Sequence, residues 1–284
     1  MRMMEKRTLS GYTKALHLAK SHYENFPVVS LFVPSELRKD VAIIYWFART
    51  ADDVADEGKF EPGEREKELD IFLERFEKTL SGSYEEDLDE ALAKTICDHK
   101  LDVNLFIDLI SAFKQDISVN RYDKFEGILD YCSRSANPVG RLILQLHGYT
   151  DEKMYLFSDK ICTALQLINF YQDLSVDFKR NRLYIPIEEI ISYGVDPEIL
   201  MNHPSNCEVS GLLAAQVERA RTIMNEGKPL LKSLNGRLRI QISATYHGGL
   251  TILDKIQSDG YTSHLKRPSL SKFDYFYLFI KSIF

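Results

Sequence analysis

Residues 164–186 read ALQLINFYQDLSVDFKRNRLYIP, and residues 41–58 read VAIIYWFARTADDVADEG. Each stretch sets four polar residues into an apolar helical pattern: Gln166, Asn169, Asp173 and Asp177 in one, Tyr45, Arg49, Asp52 and Asp56 in the other. At about 100° per residue, each set collapses onto an arc of roughly 60–80° on one helix face. Both stripes end in Asp-x-x-x-Asp, and an aspartate in an apolar helix is costly unless it is paired or metal-bound. Two such helices face to face would put four carboxylates around one space. That is a hard-cation site, and Mg²⁺ held by a few carboxylates keeps waters and recruits substrate phosphates. The plainer alternative for the first stripe is a salt bridge from Arg49, one turn before Asp52.

The rest of the chain narrows the class. Its 284 residues suit one large domain or two small ones. A net charge of −6 argues against a general nucleic-acid binder. The four cysteines, Cys97, Cys132, Cys162 and Cys207, form no CxxC pair. Cys132 and Cys162 lie in apolar helical patterns and read as buried thiols rather than disulfide or zinc ligands. No HExxH or Glu-x-x-His pair is present to suggest a zinc protease or a di-iron centre. The N-terminus carries no apolar core of signal-peptide length, and no apolar run is long enough to span a bilayer. A cytoplasmic protein is expected. Residues 273–284, FDYFYLFIKSIF, either form a last helix docked on the body or touch the inner face of the membrane peripherally.

Helical periodicity dominates and β-type alternation is scarce. Helices are predicted near 9–24, 35–57, 64–81, 84–98, 101–118, 124–146, 151–179, 207–230, 234–258 and 271–283, with Pro34-Ser35 starting the second and Gly58 ending it. Segment 183–206, with three prolines and a glycine, reads as a loop with short helical turns. No linker appears, so one all-α domain over 1–284 is expected, with a core at about 10–270 and an apolar C-terminal helix at 271–284. The acidic run at 85–90 resembles a metal motif only superficially and reads as a solvated helix N-terminus.

The residues beyond the second stripe extend the chemistry. Lys179, Arg180, Arg182 and Tyr184 follow Asp177, which fits a diphosphate clamp. Lys179 and Arg180 read better as solvated charges at a helix C-terminus, Arg182 as a ligand contact. A metal-held diphosphate beside apolar helices implies ionisation chemistry, with an apolar cavity shielding the cation left behind. Between the stripes lies 131–140, YCSRSANPVG, where small residues permit close approach and Pro138 would kink the helix.

The motifs ARTADDVADEG and NFYQDLSVDFKRNRLYIP, the intervening YCSRSANPVGRL and the N-terminal SHYENFPV resemble the squalene/phytoene synthase family over about residues 10–270. That resemblance implies an isoprenoid-synthase helical bundle around a central cavity, three Mg²⁺ ions and prenyl diphosphate substrates. Position by position, it implies metal ligation by Asp52, Asp53, Asp56, Asn169, Asp173 and Asp177. It implies substrate contacts by His22, Arg49, Asp116, Gln166, Asn169, Arg182, Tyr184 and Tyr246, and a catalytic part for Tyr45 beside the four stripe aspartates. Plainer roles stay open for three of these: helix packing for His22, a surface or cap carboxylate for Asp116, and a core ring for Tyr246.

Within the family, SHYENFPV, RSANPVGRL and NFYQDLSVD are most similar to the bacterial branch that converts presqualene diphosphate and water to hydroxysqualene in the hopanoid route. Diphosphate is released and no NADPH is needed. The alternatives are head-to-head condensation of two prenyl diphosphates to presqualene diphosphate, squalene, dehydrosqualene or phytoene, and a non-catalytic scaffold of the same fold. One departure stands out: condensing relatives tend to have small residues where this chain has Ala136-Asn137-Pro138. Asn137 is therefore a candidate for holding the attacking water or reshaping the pocket. The alternative is that it satisfies a carbonyl freed by the helix break.

Overall fold

The computed structural model describes residues 2–21, 33–56, 61–202 and 207–271, with positions 274, 278 and 282, and side chains from Lys6 onward. The fold is all-α. In chain order the helices are α1 (Arg2–Ser21), α2 (Arg38–Asp56), α3 (Pro62–Leu80), α4 (Asp87–His99), α5 (Val103–Ser118), α6 (Phe125–Ser135), α7 (Asn137–Leu146), α8 (Glu152–Gln172), α9 (Leu174–Asp177), α10 (Ile187–Ser192), α11 (Pro197–Met201), α12 (Cys207–Glu226), α13 (Leu230–Ser233) and α14 (Gly236–Ser258). Among the described residues the only β pairing is an isolated parallel bridge between Arg121 and Leu183. The chain groups into two compact units, Met1–Ser118 with Pro138–Asp151, and Val119–Asn137 with Glu152–Phe284.

In the first unit, α2 packs against α1, α3, α4 and α5. Its residues Ile43, Phe47, Ala51 and Ala55 are each no more than 1% exposed. This i, i+4 ladder is the core stripe, and at about 100° per residue it lies roughly opposite the Tyr45–Arg49–Asp52–Asp56 stripe. Phe47 meets three other rings: Phe72 at 5.0 Å, Phe76 at 4.9 Å and Phe106 at 5.1 Å between centroids, the last edge-on at 88°. Edge-to-face pairs favour the ring quadrupoles beyond simple burial.

Helix α1 lies so close to α4 that a Cβ at Gly11 would stand 2.1 Å from the Asp87 carbonyl oxygen. A mid-helix glycine, otherwise a local cost, is what permits this approach. The acidic run differs from expectation here. It does begin α4, but Asp89 and Glu90 are only 3% and 5% exposed. Asp89 accepts from Arg75 Nε at 2.9 Å and from the backbone N–H groups of Glu85 and Glu86. Glu90 accepts from the Thr8 hydroxyl at 2.8 Å. Tertiary partners on α1 and α3 compensate these charges, which local sequence does not reveal.

In the second unit, α8 packs against α6, α12 and α14. A Cβ at Gly249 of α14 would meet Met224 Cε at 2.8 Å and Ile168 Cδ1 at 3.1 Å. A polar network crosses this core: Tyr171 donates to Gln216 at 3.1 Å, while Gln216 at 2.6 Å and Arg219 at 2.9 Å donate to Glu189. At the C-terminus, Asp274 pairs with Lys255 of α14 at 3.0 Å and Leu278 is buried beside Gly248. Among the described positions of 273–284, Asp274 and Leu278 thus meet α14. No helix among the described residues is long and apolar enough to cross a membrane.

Several helix bounds depart from the sequence reading. Helix α1 begins at Arg2, and α2 begins at Arg38 rather than at Ser35. The predicted 124–146 helix is two, parted at Ala136. Pro138 has no N–H, and its ring opposes the carbonyl four residues back. The predicted 151–179 helix breaks at Asp173, which lies at φ −97°, ψ 8°. Of the two thiols expected to be buried, Cys132 is and Cys162 is half-exposed. Burial pushes the Cys132 thiol up to about 12. The Gly58 stop lies outside the described residues.

Candidate active site

The first acidic motif sits on the last two turns of α2, on the face turned from its core stripe. Arg49 lies within that motif as its counter-ion, Nη1 3.4 Å from Asp52 and Nη2 2.5 Å from Asp53. The salt-bridge reading of Arg49 is thus realised in this state, and it engages Asp53 as well as Asp52. Tyr45, one turn earlier, belongs to the same electrostatic group. Burial raises its phenol above the ordinary value; Arg49 opposes this, and the carboxylates of Asp53 and Asp52 add to it. Asp56 and, on α5, Asp116 are half-buried in the same unit.

In the second unit, Gln166 and Asn169 occupy one face of α8, Asp173 immediately precedes the short α9, and Asp177 is its last residue. The backbone carbonyl of Asp173 accepts from Val176 at 2.8 Å and Asp177 at 2.9 Å, so the break keeps the two aspartates within one turn. The following turn ends at Asn181 in the left-handed region, φ 58°, which a short polar side chain tolerates. Segment 181–187 is then pinned to 120–123: Leu183 N–H donates to Asn120 at 2.8 Å and Ile187 N–H to Tyr122 at 2.9 Å. Arg121 braces it through Glu198 and the Asn181 side chain.

This brace holds Arg182 half-buried just past the motif, whereas Lys179 and Arg180 are exposed, as expected of solvated charges. Tyr184 is more deeply buried than a ligand-contact reading implies. Its ring stacks on Phe170 at 3.8 Å and 7°, beside Tyr122. Tyr246 is 1% exposed and donates to Asn225 of α12 at 2.6 Å, the core position weighed for it. Asn137 accepts from the Thr163 hydroxyl of α8 at 3.0 Å. His22 lies outside the described residues.

The squalene/phytoene synthase family model matches residues 19–274. The chain belongs to the squalene/phytoene synthase family. It is 32% identical over 247 residues to the hydroxysqualene synthase of Sinorhizobium fredii, covering 86% of this chain and 80% of that one. Identity to the hydroxysqualene synthase of Zymomonas mobilis is 39% over 185 residues, a match that spans 63% of this chain and 61% of the relative's length. Among solved structures, squalene synthase HpnC from Alicyclobacillus acidocaldarius superposes with a TM-score of 0.85 at 34% identity, covering 90% of this chain and 96% of that chain. A dehydrosqualene synthase superposes at 0.86 with 17% identity, which speaks to the fold alone.

For a squalene/phytoene synthase, the donors of the two motifs suit a hard divalent cation, since every one is a carboxylate or amide oxygen. Both motifs already attract positive charge, Arg49 in the first and Arg267 in the second. Within neither unit do three carboxylate, imidazole or thiol groups among the described residues converge as a ready cage. Mg²⁺ does not require one, because it binds through one or two carboxylates with water and phosphate completing the octahedron. Arg267 was not legible as a site residue. It stands in a helix-free stretch without periodicity, 94 positions from its partner.

Proposed function

We propose that this chain is an isoprenoid synthase that converts presqualene diphosphate and water to hydroxysqualene and diphosphate, with Mg²⁺ and without NADPH. The observation that carries the reading is the 32% identity with a hydroxysqualene synthase across 86% of the chain, together with both Asp-x-x-x-Asp pairs. In this reading Asp52, Asp53, Asp56, Asn169, Asp173 and Asp177 hold Mg²⁺. When bound, Mg²⁺ neutralises diphosphate charge and makes it a leaving group. Arg49, Gln166 and Arg182 orient the diphosphate through charge-assisted hydrogen bonds.

Asn137 is the candidate for directing water to the reacting carbon. The Thr163 hydroxyl donates to its carbonyl oxygen, which orients the amide so that its NH₂ serves as a donor elsewhere. Asn137→Gly is expected to lower alcohol formation more than diphosphate release. Measuring both products in one reaction checks this, and equal loss of the two would count against the role.

The function itself is tested by incubation with presqualene diphosphate and Mg²⁺, without NADPH, and mass spectrometry of a hexane extract. A parallel tube holds farnesyl diphosphate alone. An alcohol from the first tube only is the expected outcome. A C30 product from the second would instead establish condensation.

A further inference from the structure

Two successive residues at the end of α8 hold two successive residues of the segment that follows α14. Gln172 donates its amide to the Pro268 carbonyl at 2.7 Å. Arg267 donates Nε to one oxygen of Asp173 and Nη2 to the other at 3.3 Å, a side-on fork. On either side the segment is anchored by burial, at Ser263 and His264 and again at Pro268, while Leu265, Lys266 and Arg267 are exposed.

We propose that Arg267 is the resident counter-ion of the second acidic motif, and that 263–268 is a strap that releases Asp173 when a divalent cation binds. The inference rests on the reading of Asp173 as a metal ligand. A guanidinium that forks onto both oxygens of a carboxylate uses the lone pairs a cation needs and repels it by charge. Metal binding and strap closure therefore oppose one another, and by linkage each weakens the other by the same factor. The first motif has its cation, Arg49, on its own helix; the second takes one from a distant segment, so loading it entails a conformational step.

The test uses the full chain and Mn²⁺ alone, without pyrophosphate. Free Mn²⁺ is measured by electron paramagnetic resonance, and backbone hydrogen exchange is followed over 263–271. The Arg267–Asp173 pair is partly exposed, so its removal should tighten Mn²⁺ binding modestly. We expect about two- to fivefold for Arg267→Gln and a smaller gain for Arg267→Lys, which keeps the charge and loses the fork. Saturating Mn²⁺ should speed exchange across 263–271 in the unsubstituted protein. Unchanged or weaker Mn²⁺ binding in Arg267→Gln, or exchange indifferent to Mn²⁺, overturns the strap. Asp173→Asn run in parallel separates the two ideas: if it weakens Mn²⁺ binding while Arg267→Gln changes nothing, the metal reading stands and only the strap falls. If Asp173→Asn leaves Mn²⁺ binding unchanged, both fall.

Discussion

Asp173→Asn is expected to lower the rate of diphosphate release from presqualene diphosphate by at least about a hundredfold, and Asp52→Asn to do the same. The substitution keeps the shape of the side chain and removes one negative charge. A carboxylate that holds a cation against a leaving group acts on charge that develops in the transition state, where losing one such interaction costs about 10²–10³ in rate. Folding should be nearly untouched. Asp173 pairs with Arg267, and the two side chains are 30% and 46% exposed. A pair this open is worth about 0–1 kcal/mol. Steady-state kinetics beside thermal melts therefore give a sharp contrast: a large rate loss with a melting temperature within a few degrees of the parent. Turnover retained in either variant would count against both aspartates as metal ligands.

Phe47→Ala should do the reverse, acting on stability through the same helix that carries the first motif. Phe47 is 1% exposed and touches Phe72, Phe76 and Phe106. Truncating a fully buried phenylalanine removes its transfer free energy and leaves a void, for a cost of about 3–5 kcal/mol. That is a large share of the roughly 5–15 kcal/mol that keeps a typical domain folded. A fall in melting temperature on the order of 10 °C is expected for a chain of this size. Because Phe47 lies roughly opposite the Asp52–Asp56 face, the fraction that remains folded should keep its metal affinity. A melt unchanged to within a degree would show that the four-ring cluster is not what holds α2 in place.

Asp52 and Phe47 lie on opposite sides of α2, and that division was legible from spacing alone. Residues 43, 47, 51 and 55 fall on one arc and 45, 49, 52 and 56 on another, whatever the helix packs against. A kink at Pro138 was legible too, because proline lacks the N–H and clashes with the preceding turn, but the reading kept one helix over 124–146 where the structure has two. Less accessible were the burial of Asp89 and Glu90, the packing of Tyr184 against Phe170, and the hydrogen bond from Tyr246 to Asn225. In each case the deciding partner is distant in sequence: Arg75 and Thr8 for the two acids, Phe170 and Asn225 for the two tyrosines. A carboxylate at a helix N-terminus reads the same whether water or a guanidinium meets it.

The amino-acid sequence by itself determined the helical class, the two acidic stripes and the family to which they belong. The first two reside in periodicity and in residue type at fixed spacing, which local backbone geometry converts directly into helix faces; the family was carried by the resemblance of whole motifs. Only the tertiary structure decided which cation answers each motif. Arg49 is supplied from within one turn, but Arg267 reaches Asp173 only once the segment after α14 has been laid against the end of α8. Such a meeting depends on how the intervening helices pack, and packing is a property of the whole chain rather than of any stretch within it.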